Sequence, residues 1–292
     1  MSVASIPSPM IFGMTPQPSD TFEWVQAAGG TVLRCRALLD LADHIFTTRP
    51  WRLGSPALDV NGEGWSDVAA AMAVDPENVA RLHQVHRADV VVAGHGSRAP
   101  WPSADVQVTA DSGIALAVQT ADCLPILLAD PRTGAVGAAH AGWRGLAVRV
   151  PEVAVQALAR QFGARPSDLV VAIGPAIGAC CYEVGLDVRD AFRADGFDDG
   201  DLARWFFDEP QPNAVNPSMP ALSRARRSGQ WFFDGYAAAR HQLERAGVPP
   251  DRIHIAALCT ASHADLFCSY RRDGRPAGRM AAAIRSRRHQ GR

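Results

Sequence analysis

The sequence predicts a mixed α+β fold made largely of short β-strands. Segments of β-branched and apolar residues outnumber the segments with helical periodicity, and several of them are separated only by short turns, which favours local antiparallel pairing. The chain has 292 residues, of which 47% are hydrophobic, so it can bury a substantial core. We therefore expect mixed sheets rather than a doubly wound parallel sheet.

The predicted strands are short apolar segments bounded by turn residues. They are Asp89–Ala93, Ile114–Gln119, Pro125–Ala129, Ala135–Ala139, Leu169–Ile173 and Ile253–Leu258.

Two helices are predicted where small and apolar residues recur every three to four positions, over Pro151–Phe162 and Asp234–Ala246. Asp234 is a suitable N-cap for the second helix, and Gly247 is suited to the position just after its end.

The chain divides into three parts by composition. Residues 1–28 are rich in proline and serine and predict a loosely ordered lead-in, whereas residues 289–292 form a basic tail. We expect residues 29–288 to form a single catalytic domain. Within it, residues 196–228 contain an acidic run and several prolines, and are the best candidate for an excursion from the core.

Composition excludes several classes of function. The net charge of -1 argues against a nucleic-acid-binding protein, which would show a basic face. All 29 basic residues are arginine, so Schiff-base chemistry, pyridoxal phosphate and a Walker A loop are excluded, because each requires a lysine.

The sequence also favours a cytoplasmic location. No apolar run approaches the roughly 20 residues of a membrane span. The first 13 residues carry no positive charge and make a poor signal peptide. The six cysteines lack close, regular spacing and are predicted to be reduced thiols.

A predicted β-hairpin brings a cysteine close to a histidine. Asp130–Gly134 has a strong turn composition, and folding the chain about Arg132 places Cys123 across from His140 and Ala141. Cross-strand neighbours lie about 4.5–5.5 Å apart, which is within reach of a shared metal ion. A slip of one residue would put the two side chains on opposite faces of the sheet.

This pair has three interpretations, which the hairpin alone does not separate. A thiolate and an imidazole can bind zinc, or they can form a nucleophile and its base. They can also be a buried cysteine packed beside a hydrogen-bonded histidine. Two glycine-containing segments, His140–Gly145 and Gly174–Gly178, leave open backbone that could hold an anion, although an ordinary loop explains the second equally well.

A third ligand could come from His83 or His86. On an extended segment these two side chains fall on opposite faces, so we expect only one to join Cys123 and His140. Two histidines and a cysteine with an open fourth position are typical of a catalytic rather than a structural zinc site.

The motifs resemble the laccase-domain family, which is also called multicopper polyphenol oxidase-like, purine nucleoside phosphorylase-like or peptidoglycan editing factor. The resemblance covers about Ala42 to Ile284 and rests on segments in the same order along the chain. These are His83–His86, Thr120–Pro125, His140–Gly145, Gly174–Gly178, Cys181–Val184, Cys259–Thr260, Ser269–Gly274 and Gly278–Arg279. The implied fold is a single-domain, layered α/β/β/α sandwich with mixed sheets.

The resemblance also implies functional residues. It places zinc on His86, Cys123 and His140, with copper less favoured, and makes Cys123 part of the catalytic site. Arg49 corresponds to an arginine that contacts phosphate or substrate in the family. Asp122 or Glu183 would supply acid–base help, although a purely structural carboxylate is an equally good interpretation of each.

The implied activity is phosphorolysis of adenosine, inosine and methylthioadenosine, with adenosine deamination as a further possibility, so that nucleoside and phosphate are the expected partners. An alternative is a zinc or Cys–His hydrolase that cleaves amide bonds of peptidoglycan precursors, in which Cys123 would be the nucleophile and His140 its base. A laccase is disfavoured, because the chain has nine histidines and no His–x–His pair for a copper cluster.

Overall fold

The computed structural model describes residues 15–51, 53–54, 63–94, 99–219 and 228–287. Its strands are β1 (Phe22–Ala27), β2 (Gly30–Cys35), β3 (Ala42–Thr47), β4 (Val79–Ala80), β5 (Val90–Val92), β6 (Val106–Thr109), β7 (Ala115–Thr120), β8 (Leu124–Ala129), β9 (Val136–Ala141), β10 (Val170–Ile173), β11 (Glu183–Gly185), β12 (Phe206–Phe207), β13 (Gln230–Phe233), β14 (Ile253–Ile255) and β15 (Met280–Ser286). Its helices are α1 (Glu63–Ala71), α2 (Trp143–Ala147), α3 (Val150–Phe162), α4 (Leu186–Ala194), α5 (Asp199–Trp205), α6 (Gly235–Arg245) and α7 (Tyr270–Asp273).

The strands form two large sheets and one small sheet. The first sheet has the order β1-β2-β3-β15-β7-β4 and the second has the order β14-β10-β8-β9-β6-β5. Most neighbours are antiparallel, whereas β4–β7, β5–β6 and β10–β14 are parallel. A third sheet has three strands in the order β11-β13-β12. The sheets are therefore mixed, as predicted.

Three buried clusters show how the layers stack. One cluster packs residues of both large sheets together, including Phe46 and Leu127. A second lies between the first sheet and α1, where Trp65 and Met72 are buried. A third packs α3 and α6 on the other face of the second sheet. Helix, sheet, sheet and helix thus follow one another, which confirms the predicted α/β/β/α layering.

Local sequence patterns predicted the main elements well. The predicted strands and both predicted helices are present, with ends that differ by at most three residues. Asp234 caps α6, since its carboxylate accepts a hydrogen bond from the backbone N–H of Ala237, and Gly247 has a φ of +94°. In the hairpin turn, the Asp130 side chain accepts from Arg132 N–H and the Thr133 hydroxyl.

The described structure differs from two expectations about the layout of the chain. The loosely ordered lead-in over residues 1–28 includes β1, which pairs along its whole length with β2 and buries Phe22. A boundary at residue 28 would therefore split a hairpin. Residues 1–14 and the basic tail, 289–292, lie outside the described residues.

The second correction concerns residues 196–228, predicted to leave the core. This segment contains α5 and β12 and contributes Leu202, Trp205 and Phe206 to the cluster that covers the second sheet. Its acidic residues are explained by a helix start, because Asp198 accepts a hydrogen bond from the backbone N–H of Asp201.

Among the described residues, none of the helices has the length and apolarity that crossing a membrane requires.

The contact between the two large sheets depends on Gly174, which follows β10. A Cβ atom at this position would lie 2.2 Å from Cδ1 of the buried Phe46 ring. We predict that Gly174→Ala lowers the free energy of unfolding by about 1–3 kcal/mol through overpacking. Urea denaturation measures this change. Gly94→Ala is the matched control, because a Cβ there has no atom within 4 Å, and its effect should stay within about 0.5 kcal/mol. Equal stabilities of the two variants would contradict the prediction.

Candidate metal centre

The register of the β8–β9 hairpin places Cys123 and His140 on one face. Pro125 pairs with His140 and Leu124 with Ala141, so position 123 lies across from Gly142, just beyond the last pair. Directly opposed residues share a face, and so do residues two apart on a strand. Cys123 is therefore a diagonal neighbour of His140, whereas the predicted fold about Arg132 would have opposed it to Ala141.

The second histidine comes from the loop between β4 and β5. Its side chain is His86, in a left-handed backbone conformation with a φ of +58°. The His86 Nε2 atom lies 4.0 Å from Cys123 Sγ, and the centroids of the His86 and His140 rings are 4.8 Å apart. His83 lies in the same loop and forms a backbone bridge with Ser103. The structure thus brings His86, as predicted, to Cys123 and His140.

A buried carboxylate holds both histidines in place. Asp105 Oδ1 is 2.8 Å from His140 Nδ1, and Asp105 Oδ2 accepts hydrogen bonds from the backbone N–H groups of Val85 and Arg87, at 3.1 and 2.8 Å. The two bonded N–H groups flank His86 and stabilise its unusual backbone conformation. Because His140 donates its Nδ1 proton to the carboxylate, its Nε2 is left as the atom that can bind a metal.

The donor set suits one metal ion. The ligand atoms of His86, Cys123 and His140 all lie within 4.8 Å of one another, as expected for atoms that surround an ion at about 2.0–2.3 Å. Gly142 makes room for them, since a Cβ there would lie 2.8 Å from Cys123 Sγ and 3.2 Å from His86 Cδ2. His140 is buried but His86 is exposed, so the centre is open on one side. These residues could hold a metal ion with a position free for substrate.

Electrostatics favour the thiolate of Cys123. Burial alone would raise the pKa of this thiol, but the neighbouring His140 and His86 rings outweigh burial and lower the pKa to about 6. Burial alone would lower the pKa of His140, but the Cys123 thiolate and the Asp105 carboxylate raise it to about 9. A thiolate is the form of cysteine that binds metal and also the form that acts as a nucleophile.

The centre opens into a cavity of about 650 Å³, a size typical of small-molecule sites. Its lining combines metal-centre residues with aromatic and cationic side chains. The lining residues are Leu82, His83, Gln84, His86, Gln119, Thr120, Ala121, Asp122, Cys123, His140, Gly142, Trp143, Arg144, Tyr182, Tyr270, Arg271 and Arg279.

Arg49, predicted to contact phosphate, lies apart from this lining. Its guanidinium donates to the carbonyl of Ala264 at 2.9 Å and lies 3.9 Å from a carboxylate oxygen of Asp273. The glycine segment Gly174–Gly178 is also outside the lining. Its glycines permit close packing instead: Gly174 lies against Phe46. Of the predicted anion-binding features, only the segment His140–Gly145 therefore lines the cavity.

Asp122 lies at the cavity, but its carboxylate is occupied within the protein. Oδ1 accepts from the Thr260 hydroxyl and Oδ2 from the backbone N–H of Arg271, both at 2.6 Å. Burial raises the pKa of Asp122 in spite of these hydrogen bonds. The contacts suit a residue that holds chain segments together. Glu183 lies in β11, outside the cavity lining.

Sequence reasoning missed Asp105 and the cationic lining. Asp105 is a buried acidic residue immediately before strand β6. In the sequence, the one available signal was a carboxylate directly in front of a segment with valines at its first and third positions. Arg144 and Arg271 lie within motifs recognised from the sequence, but no pattern assigned them to one cavity. Arg272, beside Arg271, donates instead to the backbone carbonyls of Thr260, Ala261 and Phe267 and so secures the loops around it.

Sequence comparisons relate this chain to one protein family. A sequence model for the family described as multi-copper polyphenol oxidoreductase laccase matches residues 62–287. The chain is 36% identical over 260 residues to a purine nucleoside phosphorylase of Deinococcus radiodurans, covering 85% of this chain and 90% of the relative. It is 41% identical over 218 residues to one of Streptomyces coelicolor, covering 74% and 78%.

Solved structures show the same fold. YlmD of Geobacillus stearothermophilus superposes with a TM-score of 0.73 at 32% identity, over 91% of this chain and 99% of the other. YfiH of Bacillus licheniformis superposes with a TM-score of 0.74 at 26% identity, over 90% and 99%. On the family match, the sequence relatives and the shared fold, this chain belongs to the multi-copper polyphenol oxidoreductase laccase family.

Proposed function

We propose that this protein is a zinc-dependent purine nucleoside phosphorylase acting on adenosine, inosine and methylthioadenosine. The observation that carries the proposal is a His–Cys–His donor set with one open side, facing a cavity that is lined by arginines and aromatic rings. The names of the sequence relatives support the same activity.

Zinc fits the three ligands better than a copper cluster does. His86, Cys123 and His140 supply the nitrogen and sulfur donors of a catalytic zinc site with three protein ligands. When bound, zinc would supply a Lewis acid for a phosphate or water oxygen. A multicopper oxidase needs many imidazole ligands, whereas this chain has nine histidines and none in a His–x–His pair.

Three arginines of the cavity lining are the proposed phosphate ligands, in place of Arg49, which the family resemblance implied. Arg144, Arg271 and Arg279 all line the cavity. Arg144 stacks on the Trp143 ring at 4.2 Å, and Arg271 lies 5.1 Å from the centroid of the Tyr182 ring. Stacking orients the first two guanidinium groups. Arg271 also donates to the Glu183 carbonyl, and Arg279 donates to the carbonyls of Ala277 and Gly278. The guanidinium N–H groups outside these contacts would bind phosphate oxygens through charge-assisted hydrogen bonds.

The aromatic residues provide a surface for the purine. Trp143, Tyr182 and Tyr270 line the cavity, and Tyr270 is 52% exposed although it is large and amphipathic. Flat rings stack on a purine with little loss of conformational entropy. In this arrangement the base would stack on an exposed aromatic ring and the phosphate would bind the arginines, with the glycosidic bond between them.

Asp122 acts in this proposal as a positioning residue. Its carboxylate joins Thr260 to the backbone of Arg271, and its own peptide unit precedes Cys123. It thereby sets the distance between a metal ligand and a phosphate-binding arginine. Both carboxylate oxygens already accept short hydrogen bonds within the protein, which fits this role better than proton exchange with substrate.

A second candidate is an amide hydrolase. Cys123, His140 and Asp105 are arranged in series, with the thiolate beside His140 and the carboxylate on His140 Nδ1, which is the order of a nucleophile, a base and its orienting acid. A cysteine that binds zinc is not free to attack a carbonyl carbon, so metal content separates the two candidates.

Adenosine deamination and a cytoplasmic location also belong to the proposal. Deamination would use the same cavity with water in place of phosphate. The six cysteines are free thiols in the structure, which suits a reducing compartment. Nucleoside and phosphate are the proposed partners.

The first test combines metal content with product analysis. We expect about one zinc per chain and release of the purine base from adenosine only when phosphate is present. His86→Ala should lose both the metal and the activity, whereas His83→Ala, a histidine of the same loop, should keep the metal. Inosine formed without phosphate would show deamination instead. Full phosphorolysis by metal-free protein would reject the zinc proposal, whereas amide cleavage by metal-free protein, without phosphorolysis, would favour the hydrolase.

The second test concerns the carboxylate behind His140. We predict that Asp105→Asn weakens zinc binding by about 10–100-fold, because the amide no longer orients the imidazole as an anion does. Competition with a zinc indicator measures the affinity. Asp43→Asn is the control, because Asp43 is a carboxylate outside the cavity lining that accepts hydrogen bonds from Arg285 and Arg287. An unchanged affinity in Asp105→Asn would remove Asp105 from the centre.

The third test compares arginines. Arg144→Gln should raise the KM for phosphate about 10–100-fold, as expected for loss of a charge-assisted hydrogen bond of about 1.5–3 kcal/mol. Arg49→Gln should leave this KM within about twofold, because its guanidinium contacts Ala264 and Asp273 instead. The reverse ranking, measured by steady-state kinetics with varied phosphate, would restore Arg49 as the phosphate ligand.

A further inference from the structure

Three further cysteines converge away from the cavity. Cys180 and Cys181 lie in the turn before β11, and Cys259 forms a β-bridge with Ala176. Their Sγ atoms all lie within 4.8 Å of one another. All three side chains are buried, with 2% or less of each exposed. We refer to Cys180, Cys181 and Cys259 as the three-thiol cluster.

The distances suit a single ion at the centre. Three sulfur atoms bonded to one ion at about 2.3 Å would be about 4 Å apart in a trigonal arrangement. The observed upper limit of 4.8 Å is close to this spacing and far above a covalent sulfur–sulfur bond. The cysteines are free thiols, and because their number is odd, pairing two as a disulfide would leave one sulfur over.

Polar groups stabilise the cluster in an otherwise apolar setting. The backbone N–H of Gly178 donates to Cys259 Sγ at 3.3 Å, and the Ser262 hydroxyl lies 3.6 and 3.5 Å from the sulfurs of Cys180 and Cys181. Hydrogen bonds to sulfur stabilise thiolates that are bound to a metal. The apolar neighbours, Ile177 and Ala261, keep water away.

The backbone that carries the cluster is held in position. The side-chain oxygen of Asn216 accepts from the backbone N–H of Cys259 at 2.7 Å, and its amide nitrogen donates to the carbonyl of Ala257 at 2.8 Å. Cys259 is therefore fixed on both sides by one buried side chain. Such support of a ligand by its neighbours is a common feature of metal sites.

We propose that the three-thiol cluster is a second metal site, which binds a thiophilic ion through three sulfur atoms. Thiolate ligands select soft ions such as Cu(I) and also bind zinc and cadmium. The site is closed to solvent, whereas the His86–Cys123–His140 centre is open, so its role is structural rather than catalytic.

A metal ion bound to the three-thiol cluster would affect the cavity through two short chain connections. Cys181 precedes Tyr182, which lines the cavity. Cys259 precedes Thr260, whose hydroxyl donates to Asp122 at 2.6 Å. A bound ion would fix both connections at once, so its loss should loosen the aromatic side of the cavity and the segment that carries Cys123.

The test is a Cd²⁺ titration of the reduced, metal-free full chain under anaerobic conditions. The sulfur-to-cadmium charge-transfer absorption reports the number of bound thiolates. Wild-type protein should bind two ions per chain. Cys123→Ser should bind one, with the absorption of three thiolates, and its Tm should rise on binding. Cys259→Ser should bind only the ion of the His86–Cys123–His140 centre. Cys35→Ser, a buried thiol elsewhere, should still bind two.

The Cys123→Ser titration decides the proposal, since this variant leaves the cluster intact. If the folded variant, checked by circular dichroism, binds no Cd²⁺, the three thiols are core packing only and the proposal fails. A Cys259→Ser protein that binds two ions like the wild type would also overturn it. Competition of Cu(I) and Zn²⁺ for the Cd²⁺ of Cys123→Ser then ranks the ions. These outcomes do not depend on phosphorolysis.

Discussion

One buried carboxylate holds the candidate metal centre together. Asp105 binds Nδ1 of His140 with one oxygen, and its other oxygen accepts the two backbone N–H groups that flank His86. The interaction fixes the tautomer of one histidine and the backbone conformation of the other. Cys123, on the remaining side, then meets two imidazoles whose positions are already determined. A buried anion is tolerated here because hydrogen bonds satisfy both of its oxygens.

The second sheet positions the hairpin to which Cys123 and His140 belong. The β8 and β9 strands lie in the middle of this sheet, with the first sheet against one face and α3 and α6 against the other. Burial on both faces leaves the register little freedom, since a slip of one residue would exchange the two cores. At the end of the hairpin the chain leaves the sheet, and there Cys123 and Gly142 open onto the cavity.

Short segments link the candidate metal centre and the three-thiol cluster. Asp122 precedes Cys123 and receives hydrogen bonds from Thr260, which follows Cys259, and from the backbone of Arg271. The Asp122 carboxylate thus connects the segments that carry Cys123, a candidate metal ligand, Cys259 of the cluster and the cavity-lining Arg271. This connection is the basis for the positioning role that we propose for Asp122.

Local patterns in the sequence were sufficient for six of the strands, for the helices α3 and α6, for the hairpin turn and for the pair Cys123 and His140, because turn chemistry and apolar alternation act over a few residues. The choice of His86 over His83 required the family resemblance. Tertiary structure decided three matters that no local pattern contains. The strand register determined which face of the sheet carries Cys123. Asp105 proved to be the shared hydrogen-bond partner of the two histidine segments. Arg144, Arg271 and Arg279 line the cavity, whereas Arg49 contacts Ala264 and Asp273. Each depends on contacts between segments far apart in the chain, which only the packing of the layers brings together.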